Sequence, residues 1–209
     1  MKKDWQARLD AITEMDRGLW AQGLTFAGID EAGRGPLCGP VAAACVVMPP
    51  EPLLLYVDDS KQLTEKRREE MYEKIMETAV YARVVLAEPE EIDRINILEA
   101  TRRAMADAAR EAPCRLFLVD AVSRLDVEGE VRGIVHGDAL CYSIAAASIL
   151  AKVTRDRLMI EYDRQYPQYG FAKHKGYGTA QHIAALREYG PCPIHRRSFI
   201  GHFVDPDKM

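Results

Sequence analysis

The 209-residue chain has no C-x-x-C pair, no repeat, no low-complexity tract and no excess of positive charge. Its five cysteines, Cys38, Cys45, Cys114, Cys141 and Cys192, are odd in number and scattered. That argues against a disulfide framework and against a paired-cysteine zinc site, and leaves reduced structural thiols. The longest uncharged apolar stretch, 36–50, contains Gly39 and Pro40 and is too short to cross a bilayer. The opening MKKDWQARLD carries acids early and has no apolar core, so no signal peptide is expected, and cytoplasmic residence is. The sequence also lacks G-x-x-x-x-G-K-[ST], which argues against a P-loop nucleotide hydrolase. A net charge of −4 argues against gripping nucleic acid by overall charge, though not against a local basic groove.

What is present suits a globular protein: 48% hydrophobic and 29% charged residues, in a chain long enough for a substantial core. The spacing of Leu9, Ile12 and Leu19 predicts an N-terminal helix over about 5–22. Strands are expected over 24–30 and 41–48, joined through 33–40 as a hairpin. Thr64 caps a helix whose apolar stripe is Met71, Tyr72, Ile75, Met76 and Ala79. A strand follows at 81–87. A helical stretch then runs from Pro89 to Arg110, with a break near Asn96. A short strand ends at Asp120, a long helix spans 138–163, and another helix spans 178–189. Strands first, then strands alternating with helices, predict an α/β fold with one mixed sheet in one domain. A helical C-terminal region is expected over about 165–209.

The chemistry concentrates in Gly28-Ile29-Asp30-Glu31-Ala32-Gly33-Arg34-Gly35-Pro36. Adjacent carboxylates collect divalent cations, a glycine turn exposes backbone N–H groups, and an arginine recognises phosphate. Asp120 at a strand end and Asp138 at a helix start add two more acids at changes of chain direction. Singly, each has a plain explanation as turn residue or helix cap. Together they can converge at one sheet edge, where mutual repulsion would raise their pKa values. Four carboxylates bring about −4, which two Mg²⁺ would offset, and paired metals are a device for in-line phosphodiester cleavage. None of the five histidines stands in an obvious catalytic setting.

At this point AGIDEAGRGPLCGPVAAACVV, DDSKQLTEKRRE, LVDAV, GDALCYSIAAASILAKVTRD, HKGYGTAQHIAAL and PCPIHRRSF, in order, resemble bacterial ribonuclease HII, the type 2 ribonuclease H. The resemblance covers about residues 26–203. It implies a ribonuclease H-like mixed sheet flanked by helices. It also implies cleavage of RNA in RNA–DNA hybrids and of duplex DNA at embedded ribonucleotides, leaving 3′-hydroxyl and 5′-phosphate ends. The family's metal-binding catalytic acids fall on Asp30, Glu31, Asp120 and Asp138, which would hold two Mg²⁺ or Mn²⁺ ions. Its ribonucleotide-sensing turn falls on Gly33, Arg34 and Gly35, its sensing tyrosine on Tyr177, and a phosphate-contacting lysine on Lys61.

These roles are physically reasonable. The 2′-hydroxyl distinguishes RNA from DNA, and glycines at 33 and 35 would let backbone approach it. Lys173, Lys175, Arg196 and Arg197 are further candidates for phosphate contact. The run 145–148 reads as close helix packing. The chain departs from the family pattern at Ala121, often glycine, and at His136, often lysine. A monomer without a membrane segment is expected, and the sequence names no protein partner. Two rival readings are a related nuclease for structured DNA and a catalytically silent phosphate-binding module.

Overall fold

The computed structural model describes residues 4–120 and 124–204, so Ala121 lies outside the described residues. Five strands, β1 (Ala27–Ala32), β2 (Val41–Val47), β3 (Tyr81–Ala87), β4 (Leu116–Asp120) and β5 (Glu130–Ile134), form one sheet in the order β3-β2-β1-β4-β5. β1, β2 and β3 make an antiparallel meander, with the expected 33–40 connection between β1 and β2. β4 and β5 then add parallel to β1. The sheet is therefore mixed, as the sequence predicted.

Both faces of the sheet are covered, because its central strands are apolar at successive positions. Ala42, Ala44 and Val46 pack on α7 (Tyr142–Gln165) and on Met71 and Ile75 of α3 (Glu65–Thr78). The alternate residues Val41, Ala43, Cys45 and Val47 pack on Ala100, Ala104, Met105 and Ala108 of α5 (Ile97–Ala109). Thr64 caps α3 through its hydroxyl, which accepts from the Arg67 N–H. The break near Asn96 separates α4 (Pro89–Ile95) from α5. Asn96 takes φ 69°, and its side chain accepts from the Leu98 and Glu99 N–H groups.

Two expectations differ from the structure. The N-terminal helix is two helices, α1 (Trp5–Ile12) and α2 (Glu14–Trp20). At the break the Thr13 hydroxyl donates back to the Leu9 carbonyl at 2.7 Å, competing with the helix ladder. The long helix starts at Tyr142, because Cys141 is extended and a short α6 (Gly137–Leu140) precedes it. β5 gave no sequence signal: it is an edge strand, mostly exposed, with no apolar run. The C-terminal region is helical as expected, built of α8 (Phe171–His174), α9 (Ala180–Tyr189) and α10 (Arg197–Ile200).

The start of α7 is capped from outside. Buried Asp16 on α2 accepts from the Tyr142 and Ser143 N–H groups at 3.0 and 2.9 Å, and from the Ser143 hydroxyl. Among the described residues no helix is long and apolar enough to cross a membrane.

Candidate active site

β1 carries Asp30 and Glu31. β4 lies parallel beside it with Ile29 opposite Val119, so Asp120 emerges at the same sheet edge as Asp30. α6 returns to that edge with Asp138 in its first turn. Carboxylate oxygens of Asp30, Asp120 and Asp138 all lie within 4.8 Å of one another. Asp30 and Asp138 are each only 5% exposed. Glu31 stands beside this trio. Its Oε1 lies 3.4 Å from Arg34 Nη1, while its Oε2 is buried without a partner.

Asp30 is held well above the usual carboxylate range, and Glu31 and Asp120 are also raised. The largest cause at each is burial. At Asp30 the Glu31 charge comes second and adds to the rise, whereas at Glu31 the Arg34 guanidinium comes second and opposes it. Hydrogen bonds oppose the shift at Asp30 and Asp120. The Ser148 hydroxyl bonds the Asp30 carboxylate, and the Gly137 N–H donates to Asp120 Oδ1 at 2.9 Å.

Ser148 is a residue that the sequence reading missed. Its neighbours Ala145, Ala146 and Ala147 are buried as helix packing predicts, but its hydroxyl faces Asp30 and lies 3.0 Å from the Ser60 hydroxyl. A lone serine within an apolar helix face was the available signal. Lys61 joins the acids directly. Its Nζ is 2.8 Å from Asp138 Oδ2, and this bond raises its pKa. The Asp59 carboxylate fixes the short 3-10 turn Ser60–Gln62 by accepting from the Lys61 N–H.

Gly33, Arg34 and Gly35 follow β1, and the turn meets Tyr177 from far along the chain. A Cβ built on Gly35 would lie 3.7 Å from Tyr177 Cε1, with nothing nearer. Gly33 is required for another reason. It has φ +98°, and a Cβ there would come within 2.0 Å of Arg155 Nε. So the space beside Gly35 is open as far as the Tyr177 ring, whereas Gly33 is fixed by interior packing. Tyr177 and Arg34 are exposed at the surface. Of the other basic candidates, Lys173 and Arg197 are exposed and Lys175 is half-buried. Arg196 corrects the sequence reading. Its side chain is wholly buried and bonded to backbone carbonyls, so it is not a phosphate contact. His136 is exposed beside the acids, and its charge acts on Asp120.

The remaining histidine chemistry is structural. The Cys192 N–H donates to His195 Nδ1 at 2.9 Å, the two Nε2 atoms of His195 and His182 are 3.0 Å apart, and His182 Nδ1 is 3.0 Å from the Tyr177 carbonyl. The shorter contact at His195 Nδ1 is the Cys192 amide, with the Cys192 carbonyl at 3.3 Å, which favours both rings neutral with His195 Nε2–H donating to His182. Cys38 Sγ lies within 4.8 Å of a nitrogen of both rings, and burial pushes its thiol up to about 12, so it stays protonated beside them.

Burial pushes both histidines down to about 4 from an ordinary value of 6.5. The unfolded chain then takes up protons between pH 6.5 and 4 while the folded chain does not. Their contribution is full above pH 6.5 and is lost as pH falls through this window toward 4. We predict that histidine-ring NMR will show two rings neutral down to about pH 4 and that unfolding free energy will decline across the same interval. Ordinary titration of every ring near 6.5 would contradict the buried chain.

A ribonuclease HII family model matches residues 27–202. The ribonuclease HII of Desulfitobacterium hafniense is 51% identical over 206 residues, covering 94% of this chain and 79% of the relative. That of Caldanaerobacter subterraneus is 50% identical over 196 residues, covering 92% and 81%. Among solved structures, ribonuclease H2 from Pyrococcus horikoshii superimposes with a TM-score of 0.72 at 29% identity, over 84% of this chain and 93% of that one. The structure of a PCNA–ribonuclease HII complex from Archaeoglobus fulgidus gives 0.73 at 28%, over 83% and 94%. A mixed sheet carrying acids at one edge, and half-identical relatives along nearly the whole chain, lead to one conclusion: this chain belongs to the ribonuclease HII family of endonucleolytic hydrolases.

Proposed function

We propose that the protein cleaves the RNA strand of RNA–DNA hybrids, and duplex DNA at embedded ribonucleotides, with Asp30, Glu31, Asp120 and Asp138 holding two Mg²⁺ or Mn²⁺ ions. The observation that carries this reading is the meeting of three aspartate oxygens within 4.8 Å, beside a buried Glu31 oxygen that has no partner. An orphaned carboxylate oxygen is costly unless a cation completes it, and an all-oxygen donor set suits hard divalent ions. Bound there, such ions would supply a hydroxide nucleophile and stabilise the leaving oxygen.

The chain's own groups prepare the site. Ser148 and the Gly137 N–H fix the orientation of Asp30 and Asp120. Lys61 balances Asp138 and is exposed enough to reach a phosphate as well. The Gly33-Arg34-Gly35 turn and Tyr177 form one surface where a 2′-hydroxyl can be sensed, and Arg34 is placed for the adjoining phosphate. In this reading the cleaved strand leaves with 3′-hydroxyl and 5′-phosphate ends, and residues 1–209 act as one catalytic unit.

The test is cleavage of duplex DNA bearing a single ribonucleotide, with Mg²⁺ or Mn²⁺ and with EDTA. Incision at the ribonucleotide only when metal is present is the expected result. Equal cutting of an all-DNA duplex would favour the structured-DNA nuclease, and binding without metal-dependent incision would favour a silent module.

A further inference from the structure

The Arg196 guanidinium is wholly buried and has no carboxylate within ion-pair distance among the described residues. Its guanidinium lies 5.2 Å from the centre of the Phe199 ring, and its hydrogen bonds all go to backbone carbonyls of the β1–β2 connection. Nη2 donates to Gly33 at 2.6 Å, Nη1 to Arg34 and Pro36 at 3.0 and 2.8 Å, and Nε to Gly39 at 2.9 Å. Arg155 does the same from the next position inward. It donates to Pro40, Cys38 and Lys175, and its Nε fills the space that a side chain on Gly33 would need. Burial lowers the pKa of both groups, Arg196 to about 9 with the neighbouring Arg155 charge adding to the shift, which is the electrostatic cost of holding cations in the interior. A hydrophobic residue would stabilise a core more simply. The guanidinium does what no apolar side chain can, and fixes which way several peptide units face.

That direction has a consequence at the surface. The peptide bonds after Gly33 and Arg34 are trans, the single cis bond among the described residues being Glu51–Pro52. In a planar trans peptide the N–H points opposite to the C=O. With the Gly33 and Arg34 carbonyls drawn inward onto Arg196, the N–H groups of Arg34 and Gly35 point outward. Among the described residues neither amide has an acceptor, and the surface that they face also carries the Tyr177 ring. Two adjacent outward N–H groups form a concave donor pair suited to an oxygen of a sugar or phosphate.

We propose that Arg196 is a specificity-positioning residue: by holding the carbonyls of Gly33 and Arg34 from behind, it aims the Arg34 and Gly35 amides at the ribose 2′-hydroxyl of the substrate. Arg196 touches no substrate itself. The proposal rests on the ribonucleotide-sensing reading of this turn, and its test separates the two.

Arg196→Lys keeps a positive charge but gives up the planar fork that reaches four carbonyls. Binding is measured for a duplex with one ribonucleotide and for the matching all-DNA duplex, with Ca²⁺ in place of Mg²⁺ so that the strands stay intact. The wild type should prefer the ribonucleotide duplex. Arg196→Lys should lose about tenfold of that preference, the scale of one to two hydrogen bonds, and keep its all-DNA affinity. Mn²⁺ affinity measured by calorimetry should be unchanged. An unaltered preference, or an equal loss on both duplexes, overturns the positioning role. A wild type with no preference overturns the sensing reading, and the proposal with it.

Amide hydrogen exchange on the wild-type protein decides the matter independently, including where the variant does not fold. The Arg34 and Gly35 amides should be slowed by the ribonucleotide duplex and not by the all-DNA duplex. Unchanged exchange at both would refute the outward pair.

Discussion

Asp30→Asn is expected to abolish metal-dependent cleavage and leave the fold intact. Asp30 sits between Glu31 on its own strand and Asp120 on the neighbouring one, and its carboxylate is buried. The amide keeps the size of the side chain and an oxygen that can still accept from Ser148, but it removes the charge needed to gather divalent cations. Metal chemistry at such a site supplies several kcal/mol of charge stabilisation, so the rate should fall about a thousand-fold or more. Stability should move the other way. Burial and the Glu31 charge both disfavour an ionised Asp30. Relieving about 1 kcal/mol of that conflict would raise Tm by about 2–4 °C in a chain of this size. A Mg²⁺ titration of cleavage alongside a thermal melt checks both halves. Near wild-type cleavage by a folded Asp30→Asn protein would remove the acids from the mechanism.

Gly28→Ala is expected to be the most damaging single change to the fold. Gly28 lies two residues before Asp30, where α7 crosses β1. A Cβ there would come within 2.1 Å of the Ser143 carbonyl carbon and 2.4 Å of the Ile144 nitrogen. Those are backbone atoms of a helix start already pinned by Asp16, so no side-chain rotation relieves the overlap. Overpacking of an ordinary core costs about 1–3 kcal/mol, and a backbone-on-backbone clash belongs above that range. Chemical denaturation should show a loss of more than about 3 kcal/mol, or no folded protein. An unchanged denaturation midpoint would mean that α7 does not approach β1 as closely as the structure has it. The same closeness serves the site: α7 carries Ser148 to Asp30, so the helix can position the carboxylate only because position 28 has no side chain.

The sequence read well where local chemistry decides structure. Thr64 and Asn96 announced a helix start and a helix break because a side-chain oxygen near the chain's own N–H groups acts over three residues. The 81–87 strand was legible from its run of strand-forming residues. β5 was not, because its place in the sheet comes from pairing with β4 rather than from its own polar, exposed residues. The opening helix was misjudged at Thr13, whose hydroxyl bonds backward only once the surrounding turns exist.

At the site, Asp30, Glu31, Asp120 and Asp138, the Gly33-Arg34-Gly35 turn, Lys61 and Tyr177 were all nameable from motifs, since each depends on residue type and order. The roles of Ser148, Arg155 and Arg196 were not, because they depend on what lies behind the motif. Arg196 within HRR reads as a surface cation, and the folded chain buries it against four carbonyls.

Residue identity and spacing by themselves determined the mixed α/β arrangement, the membership of the family and the set of acids available for metal. Only the tertiary structure decided that three of those acids meet within a few ångströms, that burial outweighs mutual repulsion in raising the pKa values of Asp30 and Asp120, and that the turn's amides face outward. The physical reason is distance. Propensity and capping act over a few residues, whereas desolvation and the direction of a peptide dipole are set by atoms that the chain brings back from far along its length.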